Sequence, residues 1–269
     1  MSERPPAVGI ARRLGEARAA GRKLLVPYLT AGFPDRARCA EALAGLAEAG
    51  ADAIELGVPF SDPLADGPVI AAASERAIAV GTTIDTAIEI GAEYTRGRAD
   101  RPPLVLFTYL NPVTAAGTDR IADACMAAGF GAVLIADLPF DEDPDVARAF
   151  GQRDLPVVRL AAPTTSAARL AKLARGAEGF VYLIARTGVT GAGAGTDQRT
   201  AEQVATIRAG TDLPVVVGFG IGGPEEAAVA ARVADGVVIG SAFVERLGRD
   251  GSAAAAAWMR SIRQAIDAA

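Results

Sequence analysis

A single glutamate set inside an apolar run is the residue of this chain best placed to do chemistry. Glu55 lies in DAIEL (52–56). In an alternating strand Ile54 and Leu56 share one face, and Ala53 and Glu55 share the other. With the Ile/Leu face packed on helices, Glu55 points inward, where an acid is costly to bury unless it is partnered or neutral. Its pKa should therefore rise, which suits proton transfer near neutral pH. An interior acid held by hydrogen bonds for structure satisfies the same pattern. Asp62 and Asp66 follow in GVPFSDPLADGP (57–68). Asp66 stands just before a helix, where Asp-Gly-Pro also serves as an N-cap. Two acids at different depths of one mouth can divide acid/base work and substrate anchoring between them.

Three glycine-rich junctions form a second group: TGVTGAG (187–193), GFGIGG (218–223) and GSAFV (240–244). Each offers bare backbone N–H groups near a helix start, where unpaired donors and the helix dipole favour an anion. Turn geometry alone accounts for any one of them. Three together, with Ser241 as an added donor, point to a phosphate site, each N–H bond contributing roughly 1.5–3 kcal/mol.

What the chain lacks narrows the chemistry. It has no histidine, so imidazole is removed as acid, base or metal ligand. The two cysteines, Cys39 and Cys125, lie in Ala-rich helical stretches, read as buried thiols, and cannot build a zinc site alone. The only lysines are Lys23 and Lys172. A net charge of −5, with arginines scattered among acids, gives no clustered basic face for nucleic acid. Neither a signal peptide nor an apolar run of membrane-spanning length is apparent, so the expected location is the soluble cytoplasm.

These groups need a scaffold that brings strand ends together. Eight short apolar runs recur along the chain, at 24–29, 52–56, 104–109, 131–135, 155–160, 179–184, 213–218 and 235–240. Helix-like segments separate them, at 36–49, 69–80 with 84–96, 118–128, 144–152, 166–175, 199–209 and 224–231, with a last pair near 241–247 and 253–267. Strand–helix alternation argues a parallel sheet. Eight units without a linker argue closure, giving one α/β domain over 1–269, a (β/α)₈ TIM barrel, with an open doubly wound sheet as the alternative. The second helix in the β2–β3 crossover is extra. Long loops follow strands two (57–68) and six (186–198) at the end where such barrels keep their active sites.

The motifs also carry a family likeness. GADAIELGVPFSDPLADGPVI resembles the signature of the tryptophan synthase α subunit. LLVPYLTAGFPD, TYLNPV, LIADLPFDE, APTTS, YLIARTGVTGAG, VVVGFGIGGPEEA and GVVIGSAFV follow in order, so the likeness runs from about residue 10 to 265. It implies retro-aldol cleavage of indole-3-glycerol phosphate to indole and glyceraldehyde 3-phosphate. Glu55 would be the acid/base that protonates indole C3, and Asp66 the carboxylate that holds the indole N–H. Tyr182 would be the pocket tyrosine near the acid, with Phe219, Tyr109 and Phe107 as wall residues. Gly191, Gly220, Gly240 and Ser241 would hold the phosphate, and Thr190 would bond Asp66 on lid closure. The resemblance also implies a pyridoxal-phosphate-dependent β subunit as partner in an α2β2 assembly, with no cofactor and no metal in this chain. TYLNPVTAAG and ADLPFDE depart from the commoner TYYNPVLAYG and PDLPPEE at Leu110, Ala115, Ala116 and Phe140, in segments that lie near the β-subunit face in the family.

The missing residues fit that reaction. Aldol cleavage needs an electron sink, usually a lysine Schiff base or a metal. Lys23 precedes strand one and Lys172 lies mid-helix, so neither sits at a strand end. Protonated indole is its own sink. A stand-alone indole-releasing lyase and a non-catalytic, α-like regulatory subunit are the alternative readings.

Overall fold

The structure, a computed structural model, describes residues 9–64, 66–97, 100–185, 195–218 and 220–269. Thr190, Gly191 and Phe219 lie outside the described residues. Eight strands are present: β1 Leu24–Thr30, β2 Ile54–Gly57, β3 Leu104–Thr108, β4 Ala132–Ile135, β5 Arg159–Ala161, β6 Val181–Ile184, β7 Val215–Gly218 and β8 Gly236–Ile239. All pairings are parallel, in the order β4-β3-β2-β1-β8-β7-β6-β5. The ring is nearly closed by one parallel bridge, Val133 to Val157. There Val133 donates to the Pro156 carbonyl (3.0 Å) and Val158 donates to Val133 (2.8 Å). The open-sheet alternative is thereby set aside.

Alternation sorts side chains into two cores. Leu24, Val26, Ala53, Val105, Leu134, Val158, Phe180, Val216 and Val238 fill the barrel interior. Ile54, Leu56, Leu104, Leu106, Val215 and Val217 face outward into the helix layer. The second strand therefore divides as its sequence implies, with Ala53 inside and Ile54 and Leu56 outside.

Among the described residues twelve helices surround the ring. The β2–β3 crossover holds two, α3 Pro68–Ala79 and α4 Ile84–Thr95. Helices α1 Ile10–Ala19 and α5 Leu110–Ala116 were not expected from sequence. α1 is charged over most of its surface, and only Ile10 and Leu14 are fully buried. One helical turn apart, these two plug the lower end of the barrel against its inner cluster. α5 carries Pro112 in its first turn, where a missing N–H costs nothing. The remaining helices are α2 Arg36–Glu48, α6 Thr118–Ala128, α7 Pro144–Gly151, α8 Ala167–Arg175, α9 Gly195–Arg208, α10 Pro224–Val233, α11 Ser241–Asp250 and α12 Ser252–Asp267. α9 starts at Gly195, four residues ahead of the expected start, so the end of the expected loop is helical.

Acids that precede strands tie the barrel floor. Asp52, placed by its apolar run in strand two, lies outside it and accepts the Leu25 N–H (2.8 Å), Arg22 (2.8 Å) and Arg263 of α12 (3.0 Å). Asp235 repeats the device with the Val215 N–H and Arg208, both at 2.8 Å. These acids occupy the end where barrels keep stability rather than catalysis. Leu14→Ala is expected to lower the unfolding free energy by about 2–5 kcal/mol in urea titrations, because the plug leaves a cavity beneath the inner core. Leu14→Met should cost under about 1.5 kcal/mol.

Candidate active site

A cavity of about 420 Å³ opens at the upper ends of the strands. Its walls include Glu55, Asp66, Phe107, Tyr182, Gly220, Gly240 and Ser241, seven of the residues singled out in the sequence. Glu55 is the second residue of β2 and is 1 % exposed. Burial pushes its carboxyl up to about 8. Its Oε1 has no hydrogen-bond partner among the described residues. Among the described residues, then, no network holds that oxygen, and burial favours the protonated form of the carboxyl near neutral pH.

Asp66 sits between β2 and α3. The N-cap of α3 is Gly67, with no side-chain cap, so Asp66 is not spent on capping. Burial raises its pKa, and a hydrogen bond from the Tyr109 hydroxyl opposes the rise. Tyr109 is fully buried and tilted against Phe60 at 5.2 Å. It is not among the cavity's lining residues and meets the site through Asp66. Asp62 is exposed, bonded by its neighbour Ser61, and does not line the cavity.

Two tyrosines project into the space. Tyr182, on β6, has its pKa raised by burial first and by the Glu55 charge second. Tyr28, on β1, was missed in the sequence, although alternation from Leu24 and Val26 puts it on the inner face. It packs edge-on to Phe107, with centroids 5.3 Å apart and planes at 82°. Both rings exist because a glycine stands beside each. A Cβ on Gly57 would lie 2.1 Å from the Tyr28 hydroxyl, and one on Gly218 would lie 2.8 Å from that of Tyr182.

The remaining wall is backbone. Gly220 (φ 75°) and Gly222 lead into α10, and Gly240 caps α11; neither helix start carries a side-chain cap. Ser241 and Ala242 line the cavity at the start of α11, so its first N–H groups are available to an anion. Among the described residues no cluster of three or more His, Cys, Asp or Glu could hold a metal ion.

A parallel eight-stranded barrel with a buried carboxyl and bare helix starts in one cavity has the architecture of an α/β-barrel enzyme. The family model for the tryptophan synthase alpha chain matches residues 14–267. The chain is 46% identical over 262 residues to the tryptophan synthase alpha chain of Laribacter hongkongensis, covering 96% of this chain and 99% of the relative. It is 45% identical over 251 residues to that of Synechococcus elongatus, covering 93% and 94%. Among solved structures it superposes on tryptophan synthase subunit alpha from Legionella pneumophila with a TM-score of 0.85 at 34% identity, covering 97% and 98% of the two chains. It also superposes on a chain of tryptophan synthase from M. tuberculosis with a TM-score of 0.86 at 32% identity, covering 96% and 98%. The chain belongs to the tryptophan synthase alpha chain family, whose reaction is the lyase cleavage of indole-3-glycerol phosphate.

The raised carboxyl has a consequence for stability. Near the ordinary value of 4.5 and below, Glu55 is protonated whether the chain is folded or not. As pH climbs from there to about 8, the unfolded chain releases this proton and the folded one does not, so stability falls across that window. The ceiling on the loss is roughly 5 kcal/mol. Glu55→Gln removes the titration. Urea denaturation between about pH 5 and pH 9 should show a flatter stability profile for the variant than for the parent; parallel profiles would show the carboxyl to be paired.

Proposed function

We propose that Glu55 and Asp66 carry out a retro-aldol cleavage of indole-3-glycerol phosphate in this cavity, releasing indole and glyceraldehyde 3-phosphate. The observation that carries the reading is that one cavity holds both the buried Glu55, its Oε1 without a partner among the described residues, and the uncapped start of α11. Glu55 gives its proton to C3 of the indole ring, and Asp66 accepts the ring N–H and stabilises the positive charge that develops there. The ring is now an electron sink. Loss of the hydroxyl proton from the adjoining side-chain carbon drives the electron pair of the C–C bond into the ring, giving indole and the aldehyde. The Glu55 carboxylate takes up that hydroxyl proton and is restored.

Gly220, Gly240 and Ser241 hold the phosphate through main-chain N–H groups and the serine hydroxyl. Phe107 and Tyr182 form walls for the ring. Gly191 as a further phosphate donor, Thr190 as a lid residue and Phe219 as a ring contact rest on the family likeness alone. The same likeness supports the chain's acting as one barrel domain over 1–269 in the cytoplasm. It also supports an α2β2 complex with a β subunit that holds the pyridoxal phosphate; this chain needs no cofactor of its own. No helix among the described residues is long and apolar enough to cross a membrane.

The test is release of indole from indole-3-glycerol phosphate, followed with purified protein with and without a β subunit. Glu55→Gln should lower kcat by about 10²–10⁴-fold with KM little changed; retained turnover rejects the role. Asp66→Asn should also cripple kcat, and a near-parental rate rejects its role.

A Cβ at Gly240 meets nothing closer than 3.6 Å, and its φ (−108°) lies outside the left-handed region. Gly240→Ala should therefore be mild. Gly240→Asp places a negative charge at the phosphate and should raise KM about tenfold or more, with one charged hydrogen bond at stake. Equal KM values for the two variants would move the phosphate elsewhere.

A further inference from the structure

Glu55 exists as a carboxylate between giving its proton to the ring and recovering one from the side chain. A buried carboxylate without a donor is strongly disfavoured, yet Oε1 has none among the described residues. Among the described residues no lysine or arginine lines the cavity. The titratable groups that face Glu55 are Asp66 from the segment before α3, Tyr182 from β6 and Tyr28 from β1, with Glu245 of α11 also on the wall. Of these groups, only the two tyrosines can donate while the acids are ionised.

Tyr28 is built for the task. It is the direct Cα partner of Glu55 in the β1–β2 register, so the two side chains leave adjacent strands at the same level. It is 4 % exposed, its ring is fixed by the edge contact with Phe107, and its oxygen rests in the space that Gly57 leaves open. The Thr30 hydroxyl donates to that oxygen at 3.4 Å. The oxygen's acceptor side is thereby occupied, and its own proton is left to donate.

We infer that Tyr28 is a positioning residue that donates a hydrogen bond to the Glu55 carboxylate in the interval between its two proton transfers. Rotation of the Glu55 side chain brings the orphaned oxygen to the tyrosine, so the bond forms when the charge forms. The inference rests on the reading of Glu55 as the acid and base.

Tyr28→Phe keeps the ring, its packing and its contact with Phe107, and removes only the hydroxyl. In the indole-release assay kcat should fall about tenfold, as for the loss of one hydrogen bond to a charged group, with KM within about twofold. The limb of the kcat–pH profile on which rate is lost as Glu55 loses its proton should also move, by about half a unit or more to higher pH, because the ionised form has lost a donor. A fall in kcat with the limb unmoved assigns Tyr28 a packing role and overturns the inference, as does an unchanged kcat. Glu55→Gln assayed alongside separates the two levels. If that variant is inactive while Tyr28→Phe behaves as the parent, only the role of Tyr28 fails. If Glu55→Gln turns over, the acid/base reading fails and the role of Tyr28 fails with it.

Discussion

The site turns on one unfavourable placement, a carboxyl group 1 % exposed with an oxygen that nothing among the described residues bonds. Water would stabilise the ionised form, and its exclusion keeps the proton on Glu55 to about pH 8. An acid that holds its proton at neutral pH is what ring protonation requires. The same burial would make the group a poor acid if its conjugate base found no stabilisation. The tyrosines on β1 and β6 are the neighbouring groups from which the proposed mechanism would draw that stabilisation. Asp66 is arranged differently: burial raises its pKa too, but a hydrogen bond from Tyr109 offsets part of the rise. Burial thus raises the pKa of both carboxyls, and in Asp66 alone the Tyr109 hydroxyl opposes the rise.

The barrel supplies that contrast through small residues as much as large ones. Where β2 and β7 end, Gly57 and Gly218 leave the space that the Tyr28 and Tyr182 hydroxyls enter. Where α10 and α11 begin, uncapped turns present N–H groups instead of side chains. Such bare helix starts are suited to an anion without a basic side chain. Stability is handled at the opposite end, where α1 fills the floor and Asp52 and Asp235 gather backbone amides and arginines.

The eight strands were legible because each is a short apolar run bounded by polar residues, and the inward turn of Glu55 followed from alternation alone. Closure was an inference from repetition; the Val133–Val157 bridge supplies it physically. α1 escaped notice because only two of its ten residues are fully buried, so its apolar stripe is too thin to register. α5 was hidden by Asn-Pro, which reads as a turn and here starts a helix. In the site, Glu55, Asp66 and the glycine turns stood out by residue type. Tyr28 did not, since an aromatic in a strand looks like core; only the register that sets it beside Glu55 reveals otherwise. Tyr109 was legible as a ring near the site, but its hydroxyl contact with Asp66 depends on how the intervening chain folds back.

β1 pairs with β2 on one side and with β8 on the other, Leu24 opposite Gly236. On the ribosome, the strand that emerges first waits for its second neighbour until most of the polypeptide has been made. Throughout that interval a nascent chain with an apolar edge is open to wrong pairing. The last helix then locks the seam, as Arg263 reaches Asp52 and the Lys23 carbonyl. Premature termination shortly before α12 would release a chain holding all eight strands and yet lacking its latch, a natural client for chaperones and proteases.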